Sequence, residues 1–177
     1  MGSKKTSFKA SPQDEEFRRI MRDLIDKSEK GILVVTGEGG AFKYYQELRW
    51  AIKRAIERGV KVRVYAGAPE QATVNKLIDY GAEVYLGGTV PKDHYTVLDN
   101  RIVVESLEHE PRKRGVRRGL IHSNPKTARE KASEFNGYIK NAVKAKTDRR
   151  ADPLLKVLKS PLRLSFKTNS EHIDINP

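Results

Sequence analysis

PKDHYTVLDNRIVVES, residues 91–106, is the stretch from which the fold can be read. Two β-branched runs, His94–Leu98 and residues 101–105, flank Asp99-Asn100, a pair that tolerates the positive φ of a tight hairpin turn. Charged and apolar positions alternate as in a half-buried strand, so Lys92 and His94 are expected on one face. Lys92, His94 and Asp99 then form a titratable edge of the hairpin, where function is expected to lie.

Working outward toward the amino end, strand and helix patterns alternate. Phe17, Ile20, Met21, Leu24 and Ile25 recur at helical spacing after an acidic first turn. Ile32 to Val35 is a continuous apolar run, as in a buried strand. The glycine-rich residues 36–40 then read as a loop that can present N–H groups to a phosphate, without the spacing of a P-loop or a dinucleotide fingerprint. A helix from about Phe42 to Glu57 buries Leu48, Ala51, Ile52, Ala55 and Ile56. Phe42, Tyr44, Tyr45 and Trp50 add aromatics whose helical spacing reads as core rather than as a base-stacking platform. Gly59 stops this helix before an alternating strand, a third helix follows Pro69, and residues 83–86 form a further strand. Such alternation predicts an α/β fold with a mostly parallel central sheet flanked by helices.

Beyond the hairpin lies the most basic segment, with Arg112, Lys113, Arg114, Arg117 and Arg118 close together. Residues 119–122 read as a strand, and Ser123-Asn124-Pro125 as the entry to a closing helix over about 126–144, burying Ala128, Ala132, Phe135, Ile139 and Ala142. Residues 1–11 read as a mobile basic arm, residues 12–146 as one domain, and residues 147–177 as a carboxy-terminal extension whose apolar residues suit self-association.

The element order, the phrase AIKRAIERGVKVRVYAG and the hairpin together resemble the phospholipase D-like family. Its signature is His-x-Lys-x4-Asp, followed by a strand ending near Gly-Ser. Aligned on Asp99, this chain reads Lys92-x-His94-x4-Asp99, with lysine at the position of the nucleophilic histidine. Starting from His94 instead places Thr96 and Arg101 at the lysine and aspartate positions, so neither register restores the motif. The resemblance implies attack on a phosphodiester by an imidazole. An amine of ordinary pKa near ~10.4 is protonated at neutral pH and does not attack. The expected protein is therefore a pseudoenzyme of this fold, a non-catalytic module with a phosphate-anchoring pocket. The alternative is a metal-independent nuclease or phosphodiesterase using His94 or His122. Members with one motif per chain commonly pair, which implies a homodimer, and the family loop corresponding to residues 36–40 lies near the site.

Composition selects the partner. The 177 residues carry 35 Lys+Arg against 23 Asp+Glu, a formal net charge of +12. Such an excess favours a polyanion, because each cation that meets a phosphate releases counterions. Nucleic acid is the first candidate, contacted through Lys92, His94, Arg112, Lys113, Arg114, Arg117 and Arg118, and an anionic membrane surface is the second. Cys is absent, which excludes disulfides and thiol catalysis, and the histidines lack metal-ligand spacing. No cofactor or metal is expected. Without a long apolar run or an apolar leader at the start, a cytoplasmic location is expected.

Overall fold

Asp99 (φ 53°) and Asn100 (φ 54°) both adopt the left-handed backbone that the hairpin reading demands. In the computed structural model, which describes residues 4–9, 15–67, 69–88, 90–106 and 118–148, this turn joins two strands in the middle of one sheet. In chain order the elements are β1 (Lys4–Lys9), α1 (Glu15–Asp26), β2 (Gly31–Thr36), α2 (Glu38–Glu57), β3 (Lys61–Gly67), α3 (Gln71–Asp79), β4 (Glu83–Gly87), β5 (His94–Leu98), β6 (Ile102–Ser106), β7 (Arg118–Ser123), α4 (Pro125–Lys140) and β8 (Val143–Lys144).

Among the described residues the sheet has eight strands in the order β1-β7-β6-β5-β2-β3-β4-β8. Only β2-β3 and β3-β4 are parallel, and every other pairing is antiparallel. The expectation of a mostly parallel sheet is thus corrected. Helices α2 and α3 supply the long crossovers that parallel neighbours require. Among the described residues no helix stands between β4 and β6, and β5 pairs antiparallel with β2, β6 with β5 and β7 with β6.

Two further expectations change. Lys4–Lys9, read as part of a mobile arm, is an edge strand against β7, with Lys4 opposite Ser123 and Phe8 opposite Gly119. Its polar composition hides it from apolar periodicity, although lysine is common on exposed strand edges. The closing helix ends at Lys140 rather than near 144, because Val143 and Lys144 pair with Leu86 and Tyr85 of β4. Just beyond, the amide side chain of Asn75 donates to Asp148 O at 2.7 Å and accepts from Asp148 N at 2.9 Å. Residues 149–177, nearly all of the expected extension, lie outside the described residues.

Each face of the sheet has its own core, as strand alternation requires. Ile32, Val34, Val62, Val64, Leu98 and Val104 meet Met21 and Ile25 of α1, Ile52 of α2 and Leu77 of α3. Leu33, Val35, Tyr65, Tyr95, Val97 and Val103 meet Ala128 and Phe135 of α4 on the other face. The α4 entry is capped as its sequence suggests, with Asn124 Oδ1 accepting from Lys126 N at 2.9 Å and Pro125 in the first turn.

The β5–β6 turn is tied to the start of β2 by Asp99. Its carboxylate accepts from Glu29 N at 3.0 Å, Lys30 N at 2.8 Å and Gly31 N at 3.0 Å, while Asp99 N donates to Gly31 O at 2.8 Å. Charged acceptors make the stronger hydrogen bonds, and this one joins segments nearly seventy residues apart. Asp99→Ala should cost about 2–4 kcal/mol, combining the lost acceptor with a left-handed backbone that alanine resists. Asp99→Asn should cost clearly less, since asparagine tolerates that backbone and keeps one oxygen. Urea denaturation of the two variants checks this, and equal losses would contradict it.

Candidate functional site

The parallel strands β2, β3 and β4 all end at one edge, at Thr36, Gly67 and Gly87. Antiparallel β5 begins at that same edge with His94. Register carries the row across the sheet, because His94 lies opposite Ser106, the last residue of β6, and Ser106 lies opposite Gly119 of β7. Ser106, the last residue before the connection of residues 107–117, and Gly119, one residue into β7 beyond it, therefore sit in line with His94.

Gly37 makes the corner compact. It is buried and extended (φ −91°, ψ −167°) and leads directly into α2 without a side-chain cap. A Cβ on Gly37 would stand 3.0 Å from His94 Nε2 and 3.1 Å from Val90 Cγ1. The imidazole thus packs on the backbone at the start of α2, with its Nε2 buried. The first N–H groups of a helix have no intrahelical acceptor, and they carry the positive end of its dipole. A helix start beside an imidazole suits an anionic oxygen such as that of a phosphate. The sequence placed a loop over residues 36–40, whereas α2 already begins at Glu38. Gly39 and Gly40 occupy its first turn, where low helix propensity matters least.

The expected site residues are not all brought together. Lys92 is exposed in a bend before β5, so the strand alternation that was to align it with His94 does not reach it. Asp99 lies at the far end of β5, about 17 Å away at the usual rise per strand residue, and serves the turn described above. His122 points to the opposite face, where its Nε2 meets Glu105 Oε2 at 3.1 Å. Arg118 opens β7, while Arg112, Lys113, Arg114 and Arg117 lie outside the described residues. Among the described residues, no group of His, Cys, Asp or Glu is placed to hold a metal ion, and no helix is long and apolar enough to cross a membrane.

Comparison with solved structures places the arrangement. Nuc from Salmonella typhimurium, a phospholipase D family member, matches with a TM-score of 0.66 and 15% identity, over 82% of this chain and 99% of its own. This chain has the phospholipase D fold. NucT from Helicobacter pylori gives the same TM-score of 0.66 at 15% identity, over 81% of this chain and 100% of its own. TrmBL2, an archaeal chromatin protein whose structure shows a novel mode of DNA binding, matches with a TM-score of 0.62 and 16% identity over 80% of this chain and 54% of that one. No family model matches the sequence, and no curated protein matches it.

On the α4 face of this phospholipase D fold lies a polar cluster that the sequence reading missed. Lys131 Nζ stands 3.1 Å from Glu134, 3.5 Å from Glu105 and 3.5 Å from Asp93, and 4.7 Å from the centroid of the Tyr95 ring. Burial opposes the charge on this amine, but the surrounding carboxylates outweigh burial and hold its pKa above the ordinary lysine value. Burial, reinforced by the nearby Glu134 carboxylate, pushes the Tyr95 phenol up, so it remains a donor, here to Lys131 O at 3.1 Å. The available signal was a lysine on the apolar stripe of α4, three residues after Ala128 and four before Phe135. This cluster joins α4 by charge to Glu105 of β6 and to Asp93 just before β5, and His122 of β7 meets the same Glu105.

The contact between Gly37 and His94 is directly testable. Gly37→Ala should displace the imidazole by a few tenths of an ångström and cost about 1–2 kcal/mol from overpacking. Ring resonances of His94 in a proton–nitrogen NMR spectrum should shift, with those of His122 unchanged. An unmoved His94 spectrum would contradict the contact.

Proposed function

We propose that this chain is a non-catalytic phospholipase D-like module that binds nucleic acid. In this reading the corner formed by Gly37, His94 and the start of α2 takes one backbone phosphate, with Lys92 contributing charge from the adjacent bend. Arg112, Lys113, Arg114, Arg117 and Arg118 then follow the backbone away from it. The observation that carries the proposal is the register of His94 with Ser106 and of Ser106 with Gly119, which roots the basic connection beside the imidazole.

Several considerations support it. A net charge of +12 favours a polyanion. Lysine at the nucleophile position of the family motif argues against phosphoryl transfer through that position. TrmBL2 shows that a protein containing this fold binds DNA. Phosphate contacts position a protein without reading bases, so no sequence preference is expected.

Labelled single- and double-stranded oligonucleotides, incubated with the protein in EDTA or Mg²⁺, test both halves of the proposal. Retention without cleavage is expected, weakening as salt rises. Alanine at Arg112, Lys113, Arg114, Arg117 and Arg118 together should lower affinity at least about tenfold and flatten the salt dependence. Cleavage that survives EDTA and disappears in His94→Ala or His122→Ala would replace this reading with a nuclease. Failure to retain any nucleic acid, together with sedimentation on anionic vesicles, would replace it with lipid-headgroup binding.

A further inference from the structure

Trp50 is the only tryptophan of the chain, and its helical spacing suggested a core residue. It is instead 57% exposed on the outer side of α2. The inner stripe of that helix is already filled by Leu48, Ala51, Ile52 and Ala55, each 3% exposed or less. The indole therefore adds nothing to the core, although it is the side chain with the most to gain from burial. Two cations of the same helix attend it, with Arg49 Cζ 5.3 Å and Lys53 Nζ 5.9 Å from the ring centroid. Both distances are within cation–π range.

We infer that Trp50, flanked by Arg49 and Lys53, is a stacking point for an unpaired base of single-stranded nucleic acid. This rests on the nucleic-acid reading above and narrows it to single strands or to unpaired segments. An exposed aromatic face takes any base whose own face is free, and adjacent cations meet the phosphates on either side of it. A duplex offers no such face, because its stacked pairs cover one another. An apolar protein surface suits the site poorly, since docking would strip water from two cations without supplying anions. Glu57 pairs with Lys53 at a loose 3.7 Å, and Asp26 is engaged by Arg54 at 2.7 Å and Arg58 at 3.8 Å. Trp50 stands twelve residues along α2 from Glu38, about 18 Å at the helical rise, so one helix carries both the phosphate corner and the stacking point.

Because the indole is unique, its fluorescence reports this site alone. Full-length protein should be titrated with oligo(dT), with a duplex of equal length, and with inorganic polyphosphate, which has no bases. Oligo(dT) is expected to quench the emission, while polyphosphate leaves it unchanged. Trp50→Ala should weaken oligo(dT) binding about 5- to 150-fold, with Trp50→Tyr recovering much of the loss and duplex affinity unaffected. Since the indole is exposed, circular dichroism should show both variants folded. Oligo(dT) retained with unchanged emission and undiminished affinity in Trp50→Ala would overturn the stacking point and leave the nucleic-acid reading standing. A mass that falls from dimer to monomer in Trp50→Ala would overturn it in favour of a self-interface. Retention of no nucleic acid at all would remove both readings together.

Discussion

The carboxylate of Asp99 is the constraint on which the placement of the His94 corner depends. By accepting from the N–H groups of Glu29, Lys30 and Gly31, it fixes where the end of β5 lies against the start of β2. With Leu98 held opposite Ile32, the antiparallel register continues through Val35 opposite Tyr95. That brings His94 to the level of Gly37, where β2 turns into α2. The end of β5 anchored by Asp99 and the end that places His94 against Gly37 are thus separate.

The two faces of the sheet divide the remaining work. On one face α1, α2 and α3 bury aliphatic residues, and α2 delivers its amino end to the His94 corner. On the other, α4 is held by Phe135 and by the charges around Lys131. His122 belongs to this second group through Glu105, so the histidines at positions 94 and 122 serve different surfaces. The start of α2, with N–H groups that lack intrahelical acceptors, and the imidazole of His94 meet at one corner of the sheet.

Much of this was legible in the sequence because it depends on local rules. Asp99-Asn100 announced the hairpin through its tolerance of positive φ, and Gly59 marked the break between α2 and β3. Strand pairing direction was not legible, since it depends on whether a helix intervenes between strands that are remote in sequence. Lys4–Lys9 escaped notice because an edge strand need not bury anything. At the candidate site, His94 stands on the edge where β2, β3 and β4 end, and the strand alternation that was to group Lys92 and Asp99 with it does not do so. Nothing local to Lys92 and Asp99 reveals that one lies in a bend and the other at the far end of the strand. Trp50 was misread for a related reason, because helical spacing cannot say which of two adjacent stripes faces inward when both contain large apolar residues.

The central claim is that ligand meets the edge of the sheet bearing His94 and leaves the edge bearing Asp99 untouched. Chemical-shift mapping of the full-length protein, titrated with oligo(dT) at low salt, tests this most directly. The account expects shifts in the His94 ring and in the amides of Gly37, Ser106 and Gly119, with Gly31, Asp99 and Arg101 unmoved. Shifts centred on Asp99, or on Glu105 and His122 with the His94 ring unchanged, would contradict it.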